Sequence, residues 1–119
     1  MTRRMSCSLT TDAVRDQTKT VTRRLVNTWK FLKPGDRLTL VEKAMGLPKG
    51  ARQVVLAEVE IVAVDVVLLV DITRDEIRSE GFDPEFWTPA AWAGWWALSH
   101  GYRTTTGVKV RRIEWRYLP

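Results

Sequence analysis

Residues 53–70 constrain this chain more than any other stretch. Val, Ile and Leu dominate them, and Glu58 and Glu60 fall two residues apart, the period at which side chains return to the same face of a strand. The segment is expected to form one long bent strand or two short ones. It is also the most apolar part of the chain, but Glu58, Glu60 and Asp65 interrupt it where a bilayer-spanning helix would carry no charge. A membrane span is therefore not expected, and the long strand needs partners from elsewhere in the sequence.

Three other segments supply them. In residues 18–25, Thr20, Thr22 and Arg24 alternate with Val21 and Leu25. Residues 37–42 follow a Lys33-Pro34-Gly35-Asp36 turn, in which Pro fixes one dihedral and Gly permits positive φ. Residues 108–118 alternate through Ile113, Trp115 and Tyr117. Helices are expected near residues 11–17, after capping oxygens at Thr10 to Asp12, and over residues 73–81. There Thr73 and Glu76 fit a capping box and Gly81 is a terminator. A third, over residues 88–99, opens with Thr88 as N-cap and Pro89 in the first turn. With no βαβ rhythm, the fold class is α+β, mainly β: a closed or nearly closed barrel of about five or six strands with two or three short flanking helices.

The chain has 119 residues, 45% of them hydrophobic, enough for one core, so a single domain over residues 1–119 is expected. Lys and Arg number 19 against 14 Asp and Glu, a net charge of +5, which favours an anionic partner. Arg3, Arg4 and Arg23 near one end and Arg111 and Arg112 near the other are expected to share one nucleic-acid rim if the N-terminal segment folds back onto the barrel. A solvated charged surface explains the same counts. One Cys, Cys7, and one His, His100, permit neither an intramolecular disulfide nor a zinc cluster, and no metal or cofactor is expected. Residues 1–9 lack the apolar run of a signal peptide, so the cytoplasm is the expected compartment.

No phosphate loop, nucleotide fingerprint or Ser-His-Asp set is present. What stands out is Thr18-Lys19-Thr20-Val21-Thr22-Arg23-Arg24, which puts an amine, three hydroxyls and two guanidiniums where a helix hands over to a strand. Read on its own, it is equally a basic, Thr-rich edge strand.

The spacing of Lys19 and Arg24 resembles the signature Gly-x-Lys-x-x-Glu-x-Arg of ASCH domains, members of the PUA-like superfamily. The Pro34-Gly35-Asp36 turn and its strand continue the likeness. Gln17 stands where the signature has Gly, and Thr22 where it most often has Glu. Lys-x-x-Thr-x-Arg resembles instead the small bacterial ASCH amidohydrolases that deacetylate N4-acetylcytidine and work with a Thr, a Lys and a distant Glu. The likeness covers most of the chain in outline, but only Lys19, Thr22, Arg24 and the turn carry it specifically. It implies a PUA-like barrel and a hydrolase of N4-acylated cytosine, with Thr22 as nucleophile, Lys19 as base and Glu80 assisting. Glu76 competes with Glu80 for the third place.

Around that set, Arg24, Trp29, Phe31, Glu42, Phe82 and Trp87 are the expected substrate-binding residues, the aromatic rings because they stack on any nucleobase face. Trp92, Trp95 and Trp96 fall at helical spacing and are expected in the core. His100 is expected as a helix C-terminal residue favoured by the dipole. The expected partner is a nucleoside or RNA, and the chain a monomer or weak homodimer. The alternatives are a non-catalytic RNA-binding module, a ribonuclease using the same cleft, or a protein-binding surface on the Trp-rich helix.

Overall fold

The computed structural model describes residues 3–119. The chain runs β1 (Arg3–Ser6), α1 (Thr11–Arg15), β2 (Val21–Leu25), β3 (Arg37–Val41), β4 (Val55–Leu68), a 3-10 turn (Leu69–Asp71), α2 (Arg74–Ser79), α3 (Pro89–Ser99) and β5 (Lys109–Tyr117). The long apolar segment forms one strand of 14 residues. It bends because its register against β5 slips between Ile61 and Ala63. Val59 and Ile61 are buried before the slip, and the even-numbered Val64 packs against the same core after it. One extra residue has switched which parity faces inward.

Five strands make one sheet in the order β1-β3-β4-β5-β2. All neighbours are antiparallel except β1 and β3, which run parallel with Arg3 opposite Leu38 and Ser6 opposite Val41. The expected closed barrel is not completed by hydrogen bonding, because β1 and β2 are the two edges of the sheet. A side chain spans the seam between them: Arg24 on β2 donates to the Ser6 carbonyl on β1 at 2.7 Å. β1 itself was not expected. Only four residues long, it reads as a basic terminal segment, and what makes it a strand is its distant partner β3.

The core has two lobes. Met5, Leu38, Leu40, Val59, Ile61, Ile113 and Trp115 fill the concave side of the sheet. Leu69, Ile72, Ile77, Trp92, Trp96 and Val110 lie with α2 and α3. Both helices start where Thr caps were expected, Thr73 Oγ1 accepting from Glu76 N–H and Thr88 Oγ1 from Ala91 N–H. The first helix is shorter than expected, since Gln17 takes φ +65° and ends it. The second strand accordingly begins at Val21. Among the described residues no helix is long and apolar enough to cross a membrane. Nor do they hold a group of three or more His, Cys, Asp or Glu side chains that could bind a metal ion.

Candidate active site

The pocket sits where β2 leaves α1 and faces the end of β1. Its geometry starts with the backbone of Lys19. The Lys19 N–H donates to Ala13 C=O of α1 at 3.0 Å, and Thr20 N–H donates to Ser79 C=O of α2 at 2.8 Å. The Lys19 carbonyl accepts from the Trp115 indole at 3.2 Å and from the Tyr117 hydroxyl. Gln17 supplies the left-handed residue that turns the chain into this clamp, the conformation a Gly would take at least cost.

Lys19 is 3% exposed. Its ammonium donates to the Val21 carbonyl at 2.9 Å and to the Glu80 carbonyl at 2.5 Å, and lies 3.5 Å from Glu80 Oε1. Burial pushes its pKa down; the nearby Glu80 carboxylate opposes that shift without cancelling it. Glu80 caps the C-terminus of α2 and is also 3% exposed. Its second oxygen, Oε2, accepts from Arg23 at 2.8 Å. Gly81 follows with φ +96°, and a Cβ there would lie 3.0 Å from the Ala13 Cβ and 3.1 Å from Thr10. Only a residue without a side chain lets the end of α2 press against α1 and bring Glu80 to Lys19.

Thr22 is buried on β2, and its Oγ1 accepts from Arg24 Nε at 3.2 Å. Burial lowers the Arg24 pKa, partly offset by the Cys7 and Glu80 charges. Lys19, Thr22, Arg24 and Glu80 all line one pocket of about 190 Å³, with Phe82, Trp92, Trp95, Trp96 and His100 as its aromatic wall and Ser6, Cys7 and Thr10 on the β1 side. That volume lies below the roughly 300 Å³ at which drug-sized ligand sites begin, so it suits a small ligand. Burial raises the pKa of the Cys7 thiol above its ordinary value, which leaves little thiolate at neutral pH.

Arg23 also lines this pocket, and several other expected residues lie elsewhere. Arg23 does not belong to an open rim: it is 5% exposed and bridges Glu80 and Glu76, the latter at 3.1 Å. Arg112 continues that chain to Glu76 at 3.0 Å and Glu114 at 2.9 Å. Arg111 donates to the Val26 carbonyl at 2.7 Å. Arg3 lies over the Phe31 ring at 3.9 Å, and Arg4 donates to Gln53. Trp29 packs on the first core lobe, Phe31 is exposed, and Glu42 meets Arg15 at 3.8 Å. None of these three lines the pocket, whereas Phe82 does; Trp87 stands behind Phe82 in an edge contact. Glu76 completes only half of its capping box, since its carboxylate is taken by Arg23 and Arg112.

The tryptophan stripe is core and pocket wall at once. Trp92 and Trp96 are buried, and His100 stacks on Trp96 at 3.8 Å while its Nδ1 donates to the Trp96 carbonyl at 2.7 Å. The role of Arg23 carried a sequence signal: adjacent residues of a strand leave opposite faces. One of the Arg23-Arg24 pair must therefore point inward and needs a carboxylate.

No family model matches the sequence, and no curated protein does. Solved structures do. An ASCH domain from Lactobacillus crispatus JV V101 superposes with a TM-score of 0.58 at 14% identity, over 92% of this chain and 70% of that one. The hypothetical protein PH0355 superposes with a TM-score of 0.57 at 12% identity, over 98% and 96% of the two chains. Likeness at such low identity is likeness of fold, and this chain has the fold of an ASCH domain.

Proposed function

We propose that the chain is an amidohydrolase that removes the acyl group from N4-acylated cytosine or cytidine. The observation that carries the reading is the meeting of Lys19, Thr22 and Glu80 in one small pocket walled by aromatic rings. In the proposed reaction the Thr22 hydroxyl attacks the acyl carbonyl and its proton passes to the neutral Lys19 amine. The lowered pKa of that amine supports the step. Lys19 must first release a proton, and Glu80 Oε1, 3.5 Å away, receives it.

Arg24, already donating to Thr22 Oγ1, stabilises the alkoxide and then the tetrahedral oxyanion. Collapse breaks the C–N bond as the departing N4 takes a proton from Lys19, leaving cytosine and an acyl ester on Thr22. Water, deprotonated by Lys19, hydrolyses the ester to the free acid and regenerates the hydroxyl. The resemblance of Lys19-x-x-Thr22-x-Arg24 to the N4-acetylcytidine amidohydrolases supports the same assignment.

A phosphate-tracking RNA surface has less support, because Arg23, Arg111 and Arg112 already spend their hydrogen bonds within the fold. Incubating the protein with N4-acetylcytidine and following cytidine and acetate by chromatography tests the proposal. Equimolar release of the two is expected, and absence of turnover across a series of N4-acylcytidines would falsify it.

A further inference from the structure

Two buried side-chain nitrogens among the described residues have no acceptor, Trp92 Nε1 and Arg23 Nε. Both residues belong to the pocket lining. Neighbouring indoles are matched, Trp96 donating to the Arg23 carbonyl and Trp115 to the Lys19 carbonyl. Native interiors rarely leave such donors unmet, and an exception calls for a functional explanation. Trp92 is 1% exposed. Its ring is fixed by edge contacts with Phe82 at 5.7 Å and Trp95 at 5.8 Å, so its N–H direction is set before anything binds. Arg23 spends its terminal nitrogens on Glu80 and Glu76 and keeps Nε free.

We propose that the ligand supplies the missing acceptor and that Trp92 is the residue that reads it. The pocket thereby selects a planar base with a carbonyl oxygen on its edge, which for cytosine is the 2-oxo group. The proposal rests on the pyrimidine reading of the pocket and adds a specificity residue to it. A six-membered ring with the same exocyclic amine but no 2-oxo group would leave the indole donor buried and unmet, the arrangement that gives large discrimination between near-isosteres. Arg23 Nε, on the same pocket lining, favours an acceptor-rich edge in the same way.

The test compares cytosine with 4-aminopyrimidine, which lacks only that group's oxygen and its ring proton, by calorimetric titration of wild type and Trp92→Phe. Wild type is expected to bind cytosine about 10-fold more tightly, and the variant to bring the two within about 3-fold. A wild-type 15N–1H spectrum supplies a measurement independent of the variant's folding. One of the six tryptophan indole signals, assigned to Trp92 by sequential backbone connectivity because Trp87 shares its contacts with Phe82 and Trp95, is expected to move downfield with cytosine and not with 4-aminopyrimidine.

Equal wild-type affinities, unchanged discrimination in Trp92→Phe, or an unmoved Trp92 signal overturns the assignment. Turnover of N4-acetylcytidine by the same preparation is scored separately. Turnover without discrimination removes Trp92 and leaves the reaction, and discrimination without turnover does the reverse.

Discussion

Lys19 is held as firmly by its backbone as by its side chain, with α1 on its N–H and β5 on its carbonyl. Its ammonium meets protein acceptors in two carbonyls and lies near a carboxylate, so shortening the side chain removes the proposed base with the clamp intact. Lys19→Ala is expected to lower kcat about 100- to 10,000-fold in steady-state assays with N4-acetylcytidine, with the circular dichroism spectrum unchanged. Thr22→Ala should cost at least as much, and Thr22→Ser should keep part of the activity because the hydroxyl survives. Full activity in Thr22→Ala would remove Thr22 as the nucleophile. That Lys19, Thr22 and Arg24 fall within seven residues was legible; that they line one pocket was not, because Lys19 and Thr22 would leave opposite faces of an ideal strand. The contribution of Ser6, Cys7 and Thr10 was not, because nothing local to β1 announces that it pairs with β3 and turns its end toward β2.

Gly81 decides how α2 meets the site, since its φ of +96° and the absence of a Cβ allow Thr10 and Ala13 to close over it. Gly81→Ala combines a left-handed backbone penalty of about 1–2 kcal/mol with steric overlap, so it should lower the thermal midpoint by roughly 5–10 °C and reduce activity through displacement of Glu80. A midpoint within a degree of wild type would show that α2 can shift without consequence. Gln17 offers the opposite experiment. At φ +65° it bears that same backbone strain, and Gln17→Gly should stabilise the fold by about 0.5–1 kcal/mol after the added chain entropy of Gly is subtracted. Chemical denaturation measures it, and destabilisation would mean that the Gln side chain contributes more than its backbone costs. Elements with local causes, such as Thr88-Pro89 opening α3 and Pro34-Gly35 launching β3, were legible for that reason. Glu76 was only half legible, because the capping rule knows its own helix and not the arginines that β2 and β5 bring from across the fold.

At the scale of the molecule, two charge systems share the space between β2, β5 and α2, joined through Arg23, and they respond to pH in ways that can be separated. Burial by itself would raise the Glu76 pKa, but hydrogen bonds and charge from Arg112 and Arg23 outweigh it, and the net shift is downward. A carboxyl with a depressed folded pKa contributes stability that is fully present above its ordinary value of about 4.3 and is lost as the pH falls through the lower, folded value. Lys19 runs the other way. Its folded pKa is lowered, so the unfolded chain binds the extra proton between that value and the ordinary one near 10.4, and stability rises with pH across this alkaline window. The thermal midpoint of wild type should therefore fall on acidification below about pH 4.3, and Glu76→Gln should flatten that limb. The same variant should lower the midpoint at neutral pH by about 5 °C, because Arg23 and Arg112 lose a shared partner. The activity profile isolates the other system. If neutral Lys19 is the base, kcat must rise with pH along a limb whose midpoint lies below the ordinary lysine value, and Glu76→Gln should leave that limb in place because the carboxylate facing the amine is Glu80. A limb that moves with Glu76 instead of Glu80 would reassign the proton-carrying carboxylate to the outer pair.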